Sequence, residues 1–334
     1  MNKKRAFITG IAGQDGSYLA ELLLEKNYDV YGIVRRNSIP ENQQSRLEHI
    51  RDKINVQYGD LLDLGSIENA LSSIQPDEIY NLGAQSHVRI SFEVPQFTVK
   101  TNALGVLNLL EAYRRNCPKA KFYQASSSEM FGLTVDDDGF QRETTVMNPV
   151  SPYGCSKVFG FNIVRNYRRA YKLHATNGIL FNHESPRRAS NFVTSKVVKA
   201  AIRIKLGVQN VLELGNMDSY RDWGHSKDYV KAMHLRLQHD KPGDWVVSTM
   251  ETHSVREMCE LVFSHLGLNY KDYVVQNPKF IRPEELPFLR GDSTKIRKEL
   301  GWKPDYTFQA LMEDMVDHWL PIISRNVENQ QANL

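Results

Sequence analysis

Residues 5–26, RAFITGIAGQDGSYLAELLLEK, decide how the rest of the chain is read. A short apolar run ends at Thr9, glycines follow at Gly10, Gly13 and Gly16, and an amphipathic stretch continues to Lys26. This G-x-x-G-x-x-G spacing lets the backbone turn tightly and approach a pyrophosphate. The negative charge of that group is met by the amino end of the following helix. A glycine pattern alone also describes a plain tight turn. In the first βα unit of an alternating chain it marks the place where a dinucleotide binds. Gln14 and Asp15, within the same turn, are expected to touch that cofactor together with the three glycines.

The alternation is sustained. Strand candidates are RAFIT, DVYGIV, NVQYGD, EIYNLGA, KFYQASSS and ATNGILF, separated by helical patterns such as LGSIENALSSI and FTVKTNALGVLNLLEAYRRN. Such a chain predicts an α/β fold, a Rossmann-type doubly wound parallel sheet with helices on both faces. Ligands then sit beyond the carboxyl ends of the strands. Past Glu184 the alternation loosens into loops such as NHESPRRASNF and QNPKFIRPEELPF, which suggests a smaller C-terminal α/β lobe that selects the substrate. The expected division assigns residues 1–183, with about 211–245 returning, to the cofactor domain, and 184–210 plus 246–330 to the lobe.

Composition narrows the partners. The chain of 334 residues is 41% hydrophobic, and its net charge of +3 is spread along it, which argues against nucleic acid or a membrane surface as the main partner. Cys117, Cys155 and Cys259 are odd in number and show no CxxC or Cys/His metal spacing. They suit a reduced protein without a structural zinc or a disulfide frame, and no metal is expected. Cys155 is read as packing. No apolar run approaches the ~18–20 residues needed to span a bilayer, and MNKKRAFITG does not read as a signal peptide, so the cytoplasm is the expected location. The acidic segment VDDDGF, residues 135–140, has no evident partner.

The second strand ends in YGIVRRNS, with Arg35 and Arg36 where an NAD-binding unit often places an acidic residue on the ribose 2′-hydroxyl. Guanidinium forks suit a 2′-phosphate, so NADP is the expected cofactor. Asp60 and Leu61 after the third strand are placed near the adenine. Leu82, Gly83, Ala84 and Ser86 after the fourth are placed near the nicotinamide-side ribose.

The candidate chemistry lies in SPYGCSK and QASSSEMFG. Ser151 and Pro152 begin a helix as N-cap and first helical residue. Tyr153 and Lys157, four residues apart, share one helical face. A nearby ammonium favours phenolate over phenol, so Lys157 is expected to lower the Tyr153 pKa and make it a base.

At this point the chain resembles the extended short-chain dehydrogenases/reductases and, within them, the GDP-mannose 4,6-dehydratase family. The resemblance rests on ITGIAGQDGSYLAELLLEK, GIVRRNS, YNLGAQSHV, QASSSEMFG, SPYGCSK, NGILFNHESPRR, LGNMDSYRDWGHSKDYV, IRPEE and GDSTKIRKELGWKP, which reach about residue 306. It implies a catalytic set of Ser127, Glu129, Tyr153 and Lys157. Hydride passes from C4 of the hexose to NADP⁺ while Tyr153 accepts the O4 proton. The 4-ketone acidifies C5–H, Glu129 removes that proton, water leaves from C6, and the hydride returns to C6. The product is GDP-4-keto-6-deoxymannose. Tyr153 and Lys157 would also contact cofactor, as would His183 and Arg188. Ser86, Ser127, Glu129 and Asn182 would face the substrate, Arg221 and Arg282 its pyrophosphate, and Glu285 the guanine edge.

Related dehydratases acting on dTDP-glucose carry an Asp just before this Glu. Ser128 stands there in this chain, so Glu129 is expected to carry both proton transfers. Two further departures from the family stand out: Ser127 where Thr is usual, and Ala189-Ser190-Asn191 after SPRR where Gly-Glu or Gly-Asp is usual. The second motivates an alternative, the same reaction on a GDP-linked heptose. A 4-epimerase or 4-keto reductase is a further alternative, one with no need of Glu129. The loop RRNSIPENQQSRLEH, with Arg36 and Arg46, is expected by the same resemblance to reach a neighbouring subunit in a dimer or tetramer.

Overall fold

The structure, a computed structural model, describes residues 3–36, 45–281 and 283–332. Six strands of the first half are β1 (Arg5–Thr9), β2 (Asp29–Val34), β3 (Ile54–Tyr58), β4 (Glu78–Asn81), β5 (Lys121–Ser127) and β6 (Ala175–Leu180). The helices between them are α1 (Gln14–Glu25), α2 (Leu64–Ile74), α3 (Val88–Glu93), α4 (Pro95–Val99), α5 (Gly105–Asn116) and α6 (Pro152–Ala170). The second half adds short strands β7 (Asn182–Glu184), β8 (Leu212–Leu214), β9 (Tyr220–Arg221) and β10 (Trp223–His225), then β11 (Asp244–Val247), β12 (His253–Ser254), β13 (Val274–Gln276) and β14 (Phe288–Leu289). Its helices are α7 (Val193–Lys205), α8 (Ser226–Gln238), α9 (Val255–His265), α10 (Thr294–Leu300) and α11 (Phe308–Ala332).

Seven strands form one sheet in the order β11-β6-β5-β4-β1-β2-β3, all parallel. The apolar runs obey the two-residue period of a strand. Ala6, Ile8, Val30, Tyr80 and Tyr123 face α1 and α8, where Leu19, Leu23, Val230 and Met233 cover them. Their neighbours Phe7, Ile33, Ile79 and Phe122 face the opposite layer, built from Ile67 and Leu71 of α2, Leu109 and Tyr113 of α5, and Val164 and Tyr167 of α6. Strand order reverses between β1 and β4, the switch point at which a doubly wound sheet opens a crevice. The fold expected from the alternating pattern is the fold observed.

A second core is separate from these layers. Val197 and Ala201 of α7, Met258 and Val262 of α9, and Leu311 and Met315 of α11 form it, with Leu212 and Leu214 of β8. Around it lie β8 paired with β13, and the ribbon β12-β9-β14. Three segments fall differently from the expected division. β11 runs across residue 245 and completes the main sheet. Ile296 of α10 and Trp302 also return to the first core, Trp302 Nε1 donating to Asp228 O at 2.9 Å. Residues 212–214 instead pack in the second core.

The pattern that read as one helix, 97–116, is interrupted by a π-helical turn at Lys100–Leu104. The wider turn brings Asn102 inward, where it accepts from Gln85 N and donates to Gln85 O, both at 2.9 Å. This grips the segment that follows β4. Among the described residues, no helix is long and apolar enough to cross a membrane.

Candidate active site

A cleft of about 830 Å³ opens where the carboxyl ends of β1, β4, β5 and β6 meet the second core. Its floor begins at the glycine turn. Gly10 has φ +70°, a conformation open to glycine at no steric cost. A Cβ at Gly16 would overlap Gly10 O and the Ile11 backbone, so α1 can approach β1 only without a side chain there. Gly13, Gln14 and Asp15 line the cleft with them. On the next strand Gly83 N donates to Thr9 Oγ1 at 3.0 Å, Thr9 Oγ1 donates to Asn81 Oδ1 at 2.6 Å, and Asn81 Nδ2 donates to Gln124 Oε1 at 2.8 Å. This chain of buried bonds fixes the strand end before Leu82, Gly83, Ala84 and Ser86, which also line the cleft.

A smaller cavity of about 220 Å³ adjoins Gly10 and Gly13 and is lined by Arg35, Asp60 and Leu61. The Arg35 guanidinium lies 5.6 Å from the centre of the Phe97 ring. Asp60 Oδ1 accepts from Leu62 N at 2.9 Å. Arg36 is exposed and lines neither cavity. Two cavities joined at a glycine turn, one with a guanidinium and one reaching the carboxyl ends of the sheet, fit an NADP-sized dinucleotide.

The catalytic candidates converge on the same cleft. β5 ends at Ser127, whose Oγ accepts from Glu129 N at 3.2 Å and starts a 3₁₀ turn over Ser128–Met130. Ser127, Ser128 and Glu129 are buried yet line the cleft. Opposite, Ser151 Oγ accepts from Gly154 N at 3.0 Å and Pro152 opens α6, as its sequence predicts. Tyr153 and Lys157 of α6 are buried in the cleft wall, the Lys157 ammonium 5.7 Å from the Tyr153 ring centre.

The electrostatics differ from the sequence expectation. Burial pushes the Tyr153 phenol up to about 12, opposed by its hydrogen bond with Ser127, while the Glu129 carboxylate pushes it further upward. Lys157 donates to Ala125 O at 2.9 Å, and burial lowers its own pKa to about 8. An ammonium bonded to a backbone carbonyl and 5.7 Å from the ring centre does not offset the desolvation of the phenolate.

β7 carries Asn182 and His183 along the cleft, paired with Trp223 and Gly224 of β10. His183 Nε2 lies 2.6 Å from Asp15 Oδ2, and Gln14 Nε2 donates to His183 O at 3.1 Å. Arg188 ion-pairs with Glu184 at 2.9 Å and covers the Phe192 ring at 3.5 Å. Arg221 of β9 is buried at the other end, its Nη1 donating to Tyr220 O at 2.9 Å. The neighbouring Asp222 accepts from Thr249 N and Met250 N, and burial pushes its carboxyl up to about 7. Glu285 lines the cleft. Arg282 lies outside the described residues.

Two further sequence expectations are corrected. The acidic 135–140 segment has a partner: Arg142 reaches Asp136 at 3.0 Å, Asp138 at 2.9 Å and Asp292 at 2.8 Å. Cys155 is exposed rather than packed, falling on α6 between the buried pairs Tyr153-Gly154 and Ser156-Lys157. Within the chain, Arg46 donates to Arg187 O at 3.0 Å and Ala12 O at 3.3 Å. The rest of that loop, residues 37–44, lies outside the described residues.

Sequence reasoning did not single out His87, Arg89, Lys196 or Phe280, which also line the cleft. His87 bridges two walls, with Nδ1 accepting from Ile90 N at 3.3 Å and Nε2 3.2 Å from Asn191 O. Its signal was present as the residue after Ser86 in YNLGAQSHV. Lys196 and Phe280 meet only in space, 4.0 Å from ammonium to ring centre, and no local pattern joins them.

The comparisons agree with this geometry. The family model for GDP-mannose 4,6 dehydratase matches residues 7–315. GDP-mannose 4,6 dehydratase 1 of Arabidopsis thaliana is 49% identical, with 97% of this chain and 91% of that protein covered. The Homo sapiens GDP-mannose 4,6 dehydratase is 46% identical, with 95% and 92% covered. Among solved structures, RMD from Pseudomonas aeruginosa complexed with NADPH superposes with a TM-score of 0.80 at 24% identity, covering 96% of this chain and 100% of that one. The last is a likeness of fold, whereas the first three match nearly the whole sequence, and the chain belongs to the GDP-mannose 4,6-dehydratase family.

Proposed function

We propose that this protein is an NADP-dependent lyase that converts GDP-mannose to GDP-4-keto-6-deoxymannose, with no net change in the cofactor. The observation that carries the reading is the convergence of buried Ser127, Glu129, Tyr153 and Lys157 in one cleft with the glycine turn. NADP, when bound, supplies the hydride acceptor for C4 and the donor for C6. Gly10, Gly13, Gly16 and Gln14 would hold its pyrophosphate end, with Asp15 beside it paired to His183; Arg35, with the exposed Arg36 next to it, would meet the 2′-phosphate, and Asp60 and Leu61 the adenine. Leu82–Ala84, Ser86 and Arg188 would hold the nicotinamide half, and His183 would act on the cofactor from β7 through its contact with Asp15.

Ser127 and Tyr153 share the O4 proton in this assignment. The elevated Tyr153 pKa means that the side chain is a phenol at neutral pH until charge near it changes. Lys157 is the neighbouring cation able to stabilise the phenolate once its proton is shared. Glu129 takes the C5 proton and delivers one to the departing C6 oxygen, since Ser128 offers no second carboxyl. Asn182 faces the sugar, Arg221 and Arg282 the diphosphate, and Glu285 the base. The main sheet thus serves cofactor and chemistry, and the second core presents the nucleotide-sugar.

Incubation with GDP-mannose and mass analysis tests the reading: loss of one water is expected, and stoichiometric NADPH consumption would contradict it. Ser190 and Asn191 line the cleft, which keeps the GDP-heptose alternative in view. Parallel assays with both sugars decide it, and a large preference for the heptose would replace mannose as substrate. Self-association into a dimer or tetramer belongs to the same proposal. Val94, Phe97, Val99 and Leu104, with Phe159 of α6, leave large apolar side chains exposed, and sedimentation measures whether a second copy covers them. The free cysteines suit a cytoplasmic location.

A further inference from the structure

The two ring nitrogens of His183 both face acceptors. Nδ1 lies 2.7 Å from Phe181 O, and Nε2 lies 2.6 Å from Asp15 Oδ2. A backbone carbonyl can only accept, so Nδ1 carries a proton. Whether Nε2 carries the second depends on Asp15. Gln14 Nε2 donates to the other carboxylate oxygen at 3.1 Å, and Asp15 sits in the first turn of α1, where the helix end favours negative charge. Arg188 adds a nearby cation. These groups hold Asp15 as a carboxylate, which leaves both protons on the ring.

We propose that His183 is a fixed imidazolium whose function is to neutralise Asp15 beside the phosphates of the bound dinucleotide, the pair acting as an electrostatic clamp between the cofactor turn and β7. The inference rests on the reading of the cleft as an NADP site. An uncompensated carboxylate at the amino end of α1 would repel the diphosphate that the helix end attracts. The ion pair removes that repulsion and, in the same contact, ties α1 to the strand carrying Asn182. Gln14 reinforces the tie, accepting from Ser185 Oγ at 2.8 Å and donating to His183 O. Directions of titration agree: burial opposes the charge on His183, Asp15 outweighs it, and the His183 pKa is raised while that of Asp15 is lowered. The charged or titratable groups around the pair are Arg188 from the loop after β7, Tyr229 of α8 stacked at 4.5 Å on the imidazole, Tyr123 of β5, and Tyr153 and Lys157 of α6, the last four all feeling the Asp15 charge. Glu184 on β7 is paired with Arg188.

Two measurements test the proposal. In ¹⁵N-histidine spectra of the wild-type chain, the His183 signals, assigned by their loss in His183→Gln, should keep the imidazolium pattern at about pH 7, where a free histidine is mostly neutral. NADPH titration by fluorescence then reads the consequence. His183→Gln should bind about tenfold or more weakly, because Asp15 is left bare. The double variant Asp15→Asn/His183→Gln should bind at least about threefold more tightly than His183→Gln alone, a coupling that simple loss of packing would not produce. A neutral His183 ring at pH 7, or a double variant as weak as the single one, overturns the proposal. If His183→Gln does not fold, Asp15→Asn provides the assignment through the selective shift of one histidine, and the wild-type spectrum decides. A wild-type chain that binds no NADPH would sink the cofactor reading, while the ring spectrum would still report the charge on His183.

Discussion

Glu129 is the side chain on which the proposed elimination turns. It is buried, sits in the middle of a 3₁₀ turn capped by Ser127, and shares the cleft with Tyr153. Glu129→Gln should keep nucleotide-sugar affinity while losing water elimination by roughly 10²–10⁴-fold, the range for removal of a general base. Calorimetric binding and turnover measured on one preparation check the pair of outcomes; turnover at the wild-type rate would remove Glu129 from the mechanism. Lys157 carries a second expectation. Its folded pKa of about 8 lies below the unfolded value, so the unfolded chain binds more protons between about pH 8 and 10 and stability rises with pH across that window. Below pH 8 the buried ammonium therefore costs stability. Lys157→Met should be more stable than wild type at pH 7 by on the order of 1–3 kcal/mol, less what is lost at Ala125 O, yet be inactive. Urea unfolding at pH 7 and pH 10 reads this, with the gap closing at the higher pH. These residue types and spacings were legible in the sequence. The balance of burial against charge was not: Tyr-x-x-x-Lys fixes a shared helical face but says nothing of the desolvation that raises Tyr153.

α6 presents both Tyr153 and Lys157, and its first turn depends on Ser151 and Pro152. Ser151→Ala removes the acceptor for Gly154 N and should cost about 1 kcal/mol in urea unfolding. Because Tyr153 is the second residue of this helix, turnover should fall more than the stability loss alone explains. An unchanged midpoint would mean that the cap is dispensable. Regular elements were readable where period and punctuation agreed. The sheet strands alternate between two covered faces, and LGSIENALSSI is α2 residue for residue. The π-helical turn at Lys100–Leu104 was hidden, since the apolar spacing of 97–116 tolerates one extra residue and the reason for it, Asn102 against Gln85, is a contact across 17 positions. Paired strands of two or three residues such as β9 and β12 have too little length for a period to show.

For the molecule as a whole, alternation of strand and helix suffices for a doubly wound sheet, and it stops being informative where the chain begins to cross between two cores. β11 and α10 return to the sheet from within a region that reads as loops, held by packing of Trp245, Ile296 and Trp302 rather than by a local pattern. The cleft exists because those returns bring Arg221, Asn182 and Glu285 over the carboxyl ends of the strands. A protein built this way should oxidise C4, eliminate water across C5 and C6, and reduce C6 without releasing the sugar. The most direct test is turnover of GDP-mannose in deuterium oxide with catalytic NADP, followed by nuclear magnetic resonance of the product. The account predicts a 4-keto-6-deoxy sugar with deuterium at C5 and no net NADPH change. A product still carrying its C6 oxygen, or one formed only with stoichiometric NADPH, would contradict it.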